Sequence, residues 1–121
     1  MRLPNGENAI VDIRKLTQYC LHVDNPRGSH KARVFAGTLG ITIEAAAELR
    51  EKLLEIASTT DDAVSGETDV YGQRYTVDFQ LTTTVGTAPV RSGWITLRDE
   101  NIPRLTTCYV LKRRRNAKET N

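Results

Sequence analysis

The hydrophobic period of this chain changes once, near residue 66, and that change restricts the fold more than any other feature. Before it, apolar residues recur at helical spacing: Ala46, Leu49, Leu53 and Ile56, with Ala45 and Ala57 beside them. After it, Tyr75, Val77, Phe79 and Leu81 alternate with Arg74, Thr76, Asp78 and Gln80, the period of a half-buried strand. Helices followed by strands joined through short turns predict an α+β fold, with about three helices packed on a twisted antiparallel sheet of three to four strands.

The helical half divides further. Asp12 is placed to cap a short helix that buries Ile13, Leu16, Cys20 and Leu21. Val23 to Ser29 reads as a loop, after which Ser29 is expected to cap a second helix starting at His30 and burying Val34, Phe35 and Leu39, with Gly40 closing it. Thr42 is expected to cap the third helix. Its polar face carries Glu44, Glu48, Glu51 and Glu55, and Glu48 is spaced to pair with Lys52. Ser58 to Gly66 reads as a linker, and Asp69–Tyr71 as a short strand. Ala88 to Leu97 is a strand that Pro89 marks as an edge or a bulge, and Arg104 to Leu111 is the last strand.

A chain of 121 residues is long enough for a single core. The expected organisation is one domain over residues 1–111 and a basic, frayed tail over 112–121. That tail holds five basic residues and one acidic, so the first 111 residues sum to −2 although the whole chain is +2. Net charge alone therefore argues against a uniformly nucleic-acid-binding surface, and the tail is expected to add salt-dependent affinity for RNA. No apolar run reaches the ~18 residues of a membrane span, and the start lacks the apolar stretch of a signal peptide. Cys20 and Cys108 make no disulfide framework, so a cytoplasmic setting is expected.

Soft metal ligands are few and wrongly spaced for zinc, and there is no phosphate-binding glycine loop or nucleophile elbow. No metal or cofactor is expected. One constellation remains: His30 and Lys31 at a helix start, then Arg91, Trp94, Arg104, Thr106, Thr107 and Tyr109 on strands. These types suit metal-free RNA cleavage, which needs proton transfer at the 2′-hydroxyl and the leaving 5′-oxygen, and cations around a charged phosphorane. Lys31, His30, Arg104 and Thr106 are the catalytic candidates. Arg91, Thr107 and Tyr109 are candidates for holding substrate, with Trp94 or Tyr71 stacking on an unpaired base. Each has a plainer reading: Trp94 as core, Arg91 and Arg104 as partners of Asp78 or Asp99.

Several runs carry a family resemblance: Leu16–Leu21, Asn25–Phe35, Tyr71–Asp78, Val90–Ile95 and Pro103–Tyr109. In combination they resemble DUF6883, a family of small bacterial domains related to C-terminal toxin modules of contact-dependent inhibition and other polymorphic toxins. The resemblance matches Lys31, Trp94, Arg104, Thr106, Thr107 and Tyr109 most directly. It implies a barnase–EndoU–colicin E5–RelE type of metal-independent ribonuclease with its site on the open face of the sheet. It also implies transfer RNA as the leading substrate and a cognate antitoxin or immunity protein as partner. The other class of reading is a non-catalytic module whose sheet face binds protein or RNA.

Strict alternation poses a problem for that site. Arg104 and Thr106 fall on one face of the last strand, Thr107 and Tyr109 on the other. The expectation is that Arg104 and Thr106 face substrate, with Lys31 approaching, while Thr107 and Tyr109 turn toward the helices unless the strand bulges.

Overall fold

The computed structural model describes residues 1–111; the expectations for 112–121 lie outside the described residues. The fold is α+β, with the helices first in the chain and a four-stranded antiparallel sheet after them. Helix α1 (Ile13–Lys15) is one turn, continued by a π-helical turn over Leu16–Cys20. Helices α2 (Ser29–Leu39) and α3 (Ala46–Thr59) follow. Strands β1 (Val64–Thr68), β2 (Gly72–Thr82), β3 (Thr87–Leu97) and β4 (Pro103–Val110) form a meander in chain order, so β1 and β4 are its edges.

The caps differ from the sequence expectation in their chemistry. Asp12 caps α1 as expected, accepting the Arg14 amide at 3.0 Å. Ser29 does not cap α2: the helix already includes it, and Gly28 is the cap residue without a side chain to offer. Asn25 organises this entrance instead, its Oδ1 accepting the amides of Arg27 and Gly28 at 2.8 and 3.2 Å. Glycine is needed there, because a Cβ at residue 28 would sit 2.8 Å from the Tyr19 carbonyl. Gly40 closes α2 at a φ of 68°, as expected. Thr42 precedes a 3-10 turn, Ile43–Ala45, and its hydroxyl donates to the Glu44 carboxylate at 2.6 Å rather than capping an amide. Lys52 reaches Glu55 at 3.6 Å, one turn onward, instead of Glu48, the partner one turn back that its spacing suggested.

The core lies between the helices and one face of the sheet. Phe35, Leu16, Leu39 and Leu53 meet Val77, Val90, Trp94, Leu105 and Cys108, all buried in a single cluster. Ile13, expected inside, is exposed, whereas Leu16, Cys20 and Leu21 are buried. The linker is shorter than expected: α3 runs to Thr59, and β1 takes Val64–Thr68 while Asp69–Tyr71 turns. Pro89 is neither at an edge strand nor in a bulge. It sits near the start of interior β3, where the β4 ladder has ended at Val110, and its carbonyl accepts the Leu111 amide at 2.8 Å. Its missing N–H faces that same side, where no β4 residue needs it. At the other end of β4, Ile10 forms a parallel bridge with Arg104, donating to the Pro103 carbonyl at 2.9 Å and accepting from Leu105 at 3.0 Å. No helix among the described residues is long and apolar enough to cross a membrane.

Candidate functional site

The alternation problem in β4 is resolved by one extra residue. Gly93 pairs with Thr107 and Trp94 pairs with Leu105, so Thr106 has no partner and forms a bulge. Below the bulge, Pro103 and Leu105 point to the core. Above it, Cys108 and Val110 do. Arg104 on one side and Thr107 and Tyr109 on the other therefore share the open face. Thr106 stands there too: a Cβ built on Gly93 would lie 3.0 Å from Thr106 Oγ1 and 3.1 Å from Thr107 Cγ2. Gly93 is on that face because its neighbours Ser92 and Trp94 are in the core. The expected division, with Thr107 and Tyr109 turned to the helices, is corrected accordingly. Arg104 and Thr106 face outward as expected, and the other two join them.

The register makes three successive rows across the sheet. Arg74, Ile95 and Arg104 form one, Thr76, Gly93 and Thr107 the next, and Asp78, Arg91 and Tyr109 the third. Arg91 forks onto Asp78 at 2.8 and 2.9 Å. That fork, with a smaller contribution from the Tyr109 hydroxyl, holds the Arg91 pKa above its ordinary value. Lys31 Nζ sits 4.1 Å from the Tyr109 ring centroid, a cation–π contact that ties the start of α2 to the sheet. Arg104 forks onto Glu100 at 2.8 and 3.0 Å, rather than onto Asp99, and lowers the Glu100 pKa through that hydrogen bonding. Arg74 makes a third pair, with Asp69 at 2.8 Å. The face thus presents hydroxyls from Thr106 and Thr107, three arginines already held by carboxylates, and Lys31 with no carboxylate within 4 Å among the described residues. Beside the third row, Asp62, Val64, Thr76, Asp78 and Arg91 line a depression of about 500 Å³.

Three sequence candidates fall elsewhere. Trp94 is 1% exposed, on the core face, with Nε1 donating to Ser92 Oγ at 2.9 Å; Ser92 in turn donates to the Val77 carbonyl at 2.8 Å. A base cannot stack on it, and the core reading of this tryptophan is the correct one. Tyr71 is 65% exposed in the β1–β2 turn, just before Gly72, three residues from Arg74 in the first row and seven from Asp78 in the third, so it stands in the turn and not on the rows of the sheet. His30 is exposed beside Lys31, but successive helical residues point about 100° apart, so the position of Lys31 over Tyr109 does not bring His30 there. Gly93, in contrast, was not singled out from sequence. The available signal was a glycine inside a strand, which marks close approach or a bulge.

The thiols are not part of this face. Cys20 and Cys108 are buried behind β4, and burial pushes Cys20 up to about 11 and Cys108 well above its ordinary value. Both stay protonated at neutral pH and are poor nucleophiles. Among the described residues, no group of three or more His, Cys, Asp or Glu side chains is placed to hold a metal ion.

The family model described as "Domain of unknown function (DUF6883)" matches residues 2–112. No curated protein matches the chain. Among solved structures, a chain of the "Contact-dependent growth inhibition toxin - immunity protein complex from Klebsiella pneumoniae 342" shares the fold with a TM-score of 0.66. The two are 18% identical over 85% of this chain and 100% of that one.

Proposed function

The chain belongs to the DUF6883 family, and from that premise we propose that it is a metal-independent endoribonuclease of the toxin type, acting on transfer RNA and held in check by a dedicated inhibitor protein. The bulge at Thr106 carries this reading, because it gathers Arg104, Thr106, Thr107 and Tyr109 on the face that Lys31 overhangs. The fold shared with a chain of a toxin–immunity complex supports a partner protein of that kind. In the reaction the 2′-hydroxyl attacks the adjacent phosphorus and the bond to the 5′-oxygen breaks, leaving a cyclic phosphate and a 5′-hydroxyl. Lys31, Arg104 and the Thr106 hydroxyl surround the phosphoryl oxygens as negative charge grows on them. Lys31, the side chain that reaches Tyr109, donates a proton to the leaving 5′-oxygen while the 2′-hydroxyl proton passes to water, and Arg91, Thr107 and Tyr109 hold the flanking nucleotide.

One observation favours a non-catalytic module instead: the three open-face arginines are already matched by carboxylates, which leaves Lys31 as the unmatched cation there. Induced expression in bacteria, with sequencing of RNA 5′ ends, separates the two. Growth arrest with discrete new ends, first among transfer RNAs, is the expected result, and purified protein should cut equally well in EDTA. Arrest without new ends would establish the binding module. Activity lost in EDTA and restored by a divalent metal would overturn the metal-free mechanism.

The acidic surface of α3 supplies a control. Glu44, Glu48, Glu51 and Glu55 are exposed on the helix layer, whereas the cluster is on the opposite side of the sheet. Glu51→Lys is expected to leave the cut position unchanged, as read by the same end mapping; a shifted cut position would place substrate on the helix side.

A further inference from the structure

Unmatched positive charge is distributed unevenly over the described residues. Arg14 forks onto Asp12, Arg2 reaches Asp61, Arg50 and Lys52 sit beside glutamates, and the three open-face arginines are paired as above. The cations left over are Lys15, Arg27, Lys31, Arg33 and Arg98, and four of these five fall between residues 15 and 33. Residues 12–33 sum to +3, whereas 41–69, which contain α3 and β1, sum to −6. Because α1, its π-turn and α2 all pack against β4, the basic segment flanks that edge of the sheet, and the acidic one includes the opposite edge.

The basic segment forms a surface continuous with the cluster. Lys31 belongs to both, through its contact with Tyr109. Lys15, Gln18 and Tyr19, with the paired Asp12 and Arg14, line a depression of about 320 Å³. The loop before α2 folds back against it: Asn25 Nδ2 donates to the Gln18 carbonyl at 2.8 Å, and the Tyr19 ring lies 3.2 Å from where a Cβ on Gly28 would be. The Arg27 backbone is thereby held beside this turn, its amide donating to Asn25 Oδ1 at 2.8 Å. Within the depression Arg14 is matched by Asp12, so Lys15 is its unmatched charge, with Gln18 and Tyr19 beside it.

We propose that a single-stranded RNA flank leaves the open face over the β4 edge and lies along Lys31, Arg27, Lys15 and the Gln18–Tyr19 turn, held through its phosphates. This rests on the RNA reading above and names where the strand runs. The test uses the full chain and a labelled 2′-O-methyl oligonucleotide, which cannot be cut, with affinity measured by anisotropy over a range of salt. Each neutralised phosphate contact on a single strand contributes about 0.7 to the slope of log K against log salt. Lys15→Gln/Arg27→Gln should flatten the slope by about 1.4, with the melting temperature unchanged because both residues are exposed. The control Arg2→Gln/Lys52→Gln removes the same charge elsewhere and should leave the slope as it is. Equal slopes in wild type and the first variant overturn the track, as does equal flattening in both variants, which would mean net charge alone. The track is also overturned if the first variant loses binding to an acidic protein or polyglutamate while the slope stands. RNA cutting with an unaltered slope refutes the track and leaves the enzyme; a flattened slope without cutting does the reverse.

Discussion

Arg104→Ala is expected to lower RNA cleavage by roughly 100-fold or more, the usual cost of removing one preorganised donor from a developing oxyanion. The fold should survive it. Arg104 is half-exposed and its partner Glu100 is at the surface, so the carboxylate left behind is solvated and not stranded. A melting temperature within a few degrees of wild type is the matching expectation. Arg104→Lys should recover little activity, because an ammonium keeps the charge and loses the planar fork. Tyr109→Phe belongs with it: the hydroxyl lies on the open face beside Arg91, so its loss should reduce cleavage more than stability. Toxicity assays, in-vitro cleavage and thermal melts on the same preparations check all three. Full activity in Arg104→Ala would remove the first row of the sheet from the site.

Trp94→Ala is expected to have the largest effect on stability of any substitution in the sheet. Large aromatic to alanine changes in a packed core cost about 3–5 kcal/mol, and the indole also satisfies Ser92. For a chain of this size that is a fall in melting temperature of roughly 10–20 °C. Trp94→Phe should cost less, since most of the volume stays and Ser92 still donates to Val77. Thermal melts of the two variants decide the matter. An unchanged melting temperature combined with lost RNA affinity would return Trp94 to the role of a stacking platform.

The fold class was legible because it depends on period, and period survives errors of cap and boundary. The helical stripe of Leu49 and Leu53 and the alternation of Val77 and Leu81 both met the core as expected. The site was half legible. Residue type pointed to Lys31, Arg104, Thr106 and Tyr109, but alternation assumes an unbroken ladder, and the one residue that breaks it, Thr106, looks like any strand threonine. Its counterpart, Gly93, lies on a different strand, so no reading of β4 alone reveals the notch between them. Arg91 found the Asp78 partner that cross-strand spacing offered, whereas Arg104 chose Glu100, which lies on its own loop. Ser29 and Thr42 failed as caps for a similar reason. Local turn chemistry set the helix starts, through the Asn25 side chain at one and a 3-10 turn at the other, and the cap rule alone points to neither.

The Ile10–Arg104 bridge bears on when the open face can form. It joins residues near the two ends of the described chain, and β4 is the last strand of the sheet. Lys31 waits in the helical half for Tyr109 to arrive. A nascent chain can form α2 and α3 early, because their contacts are local, but the pairing that assembles the face is long-range and comes last. Until Tyr109 has emerged from the ribosome there is no ring beneath Lys31 and no bulge beside Gly93. The open face is therefore incomplete while only the helices and the first three strands have been made. A partner that recognised the β4 edge would meet only the completed face.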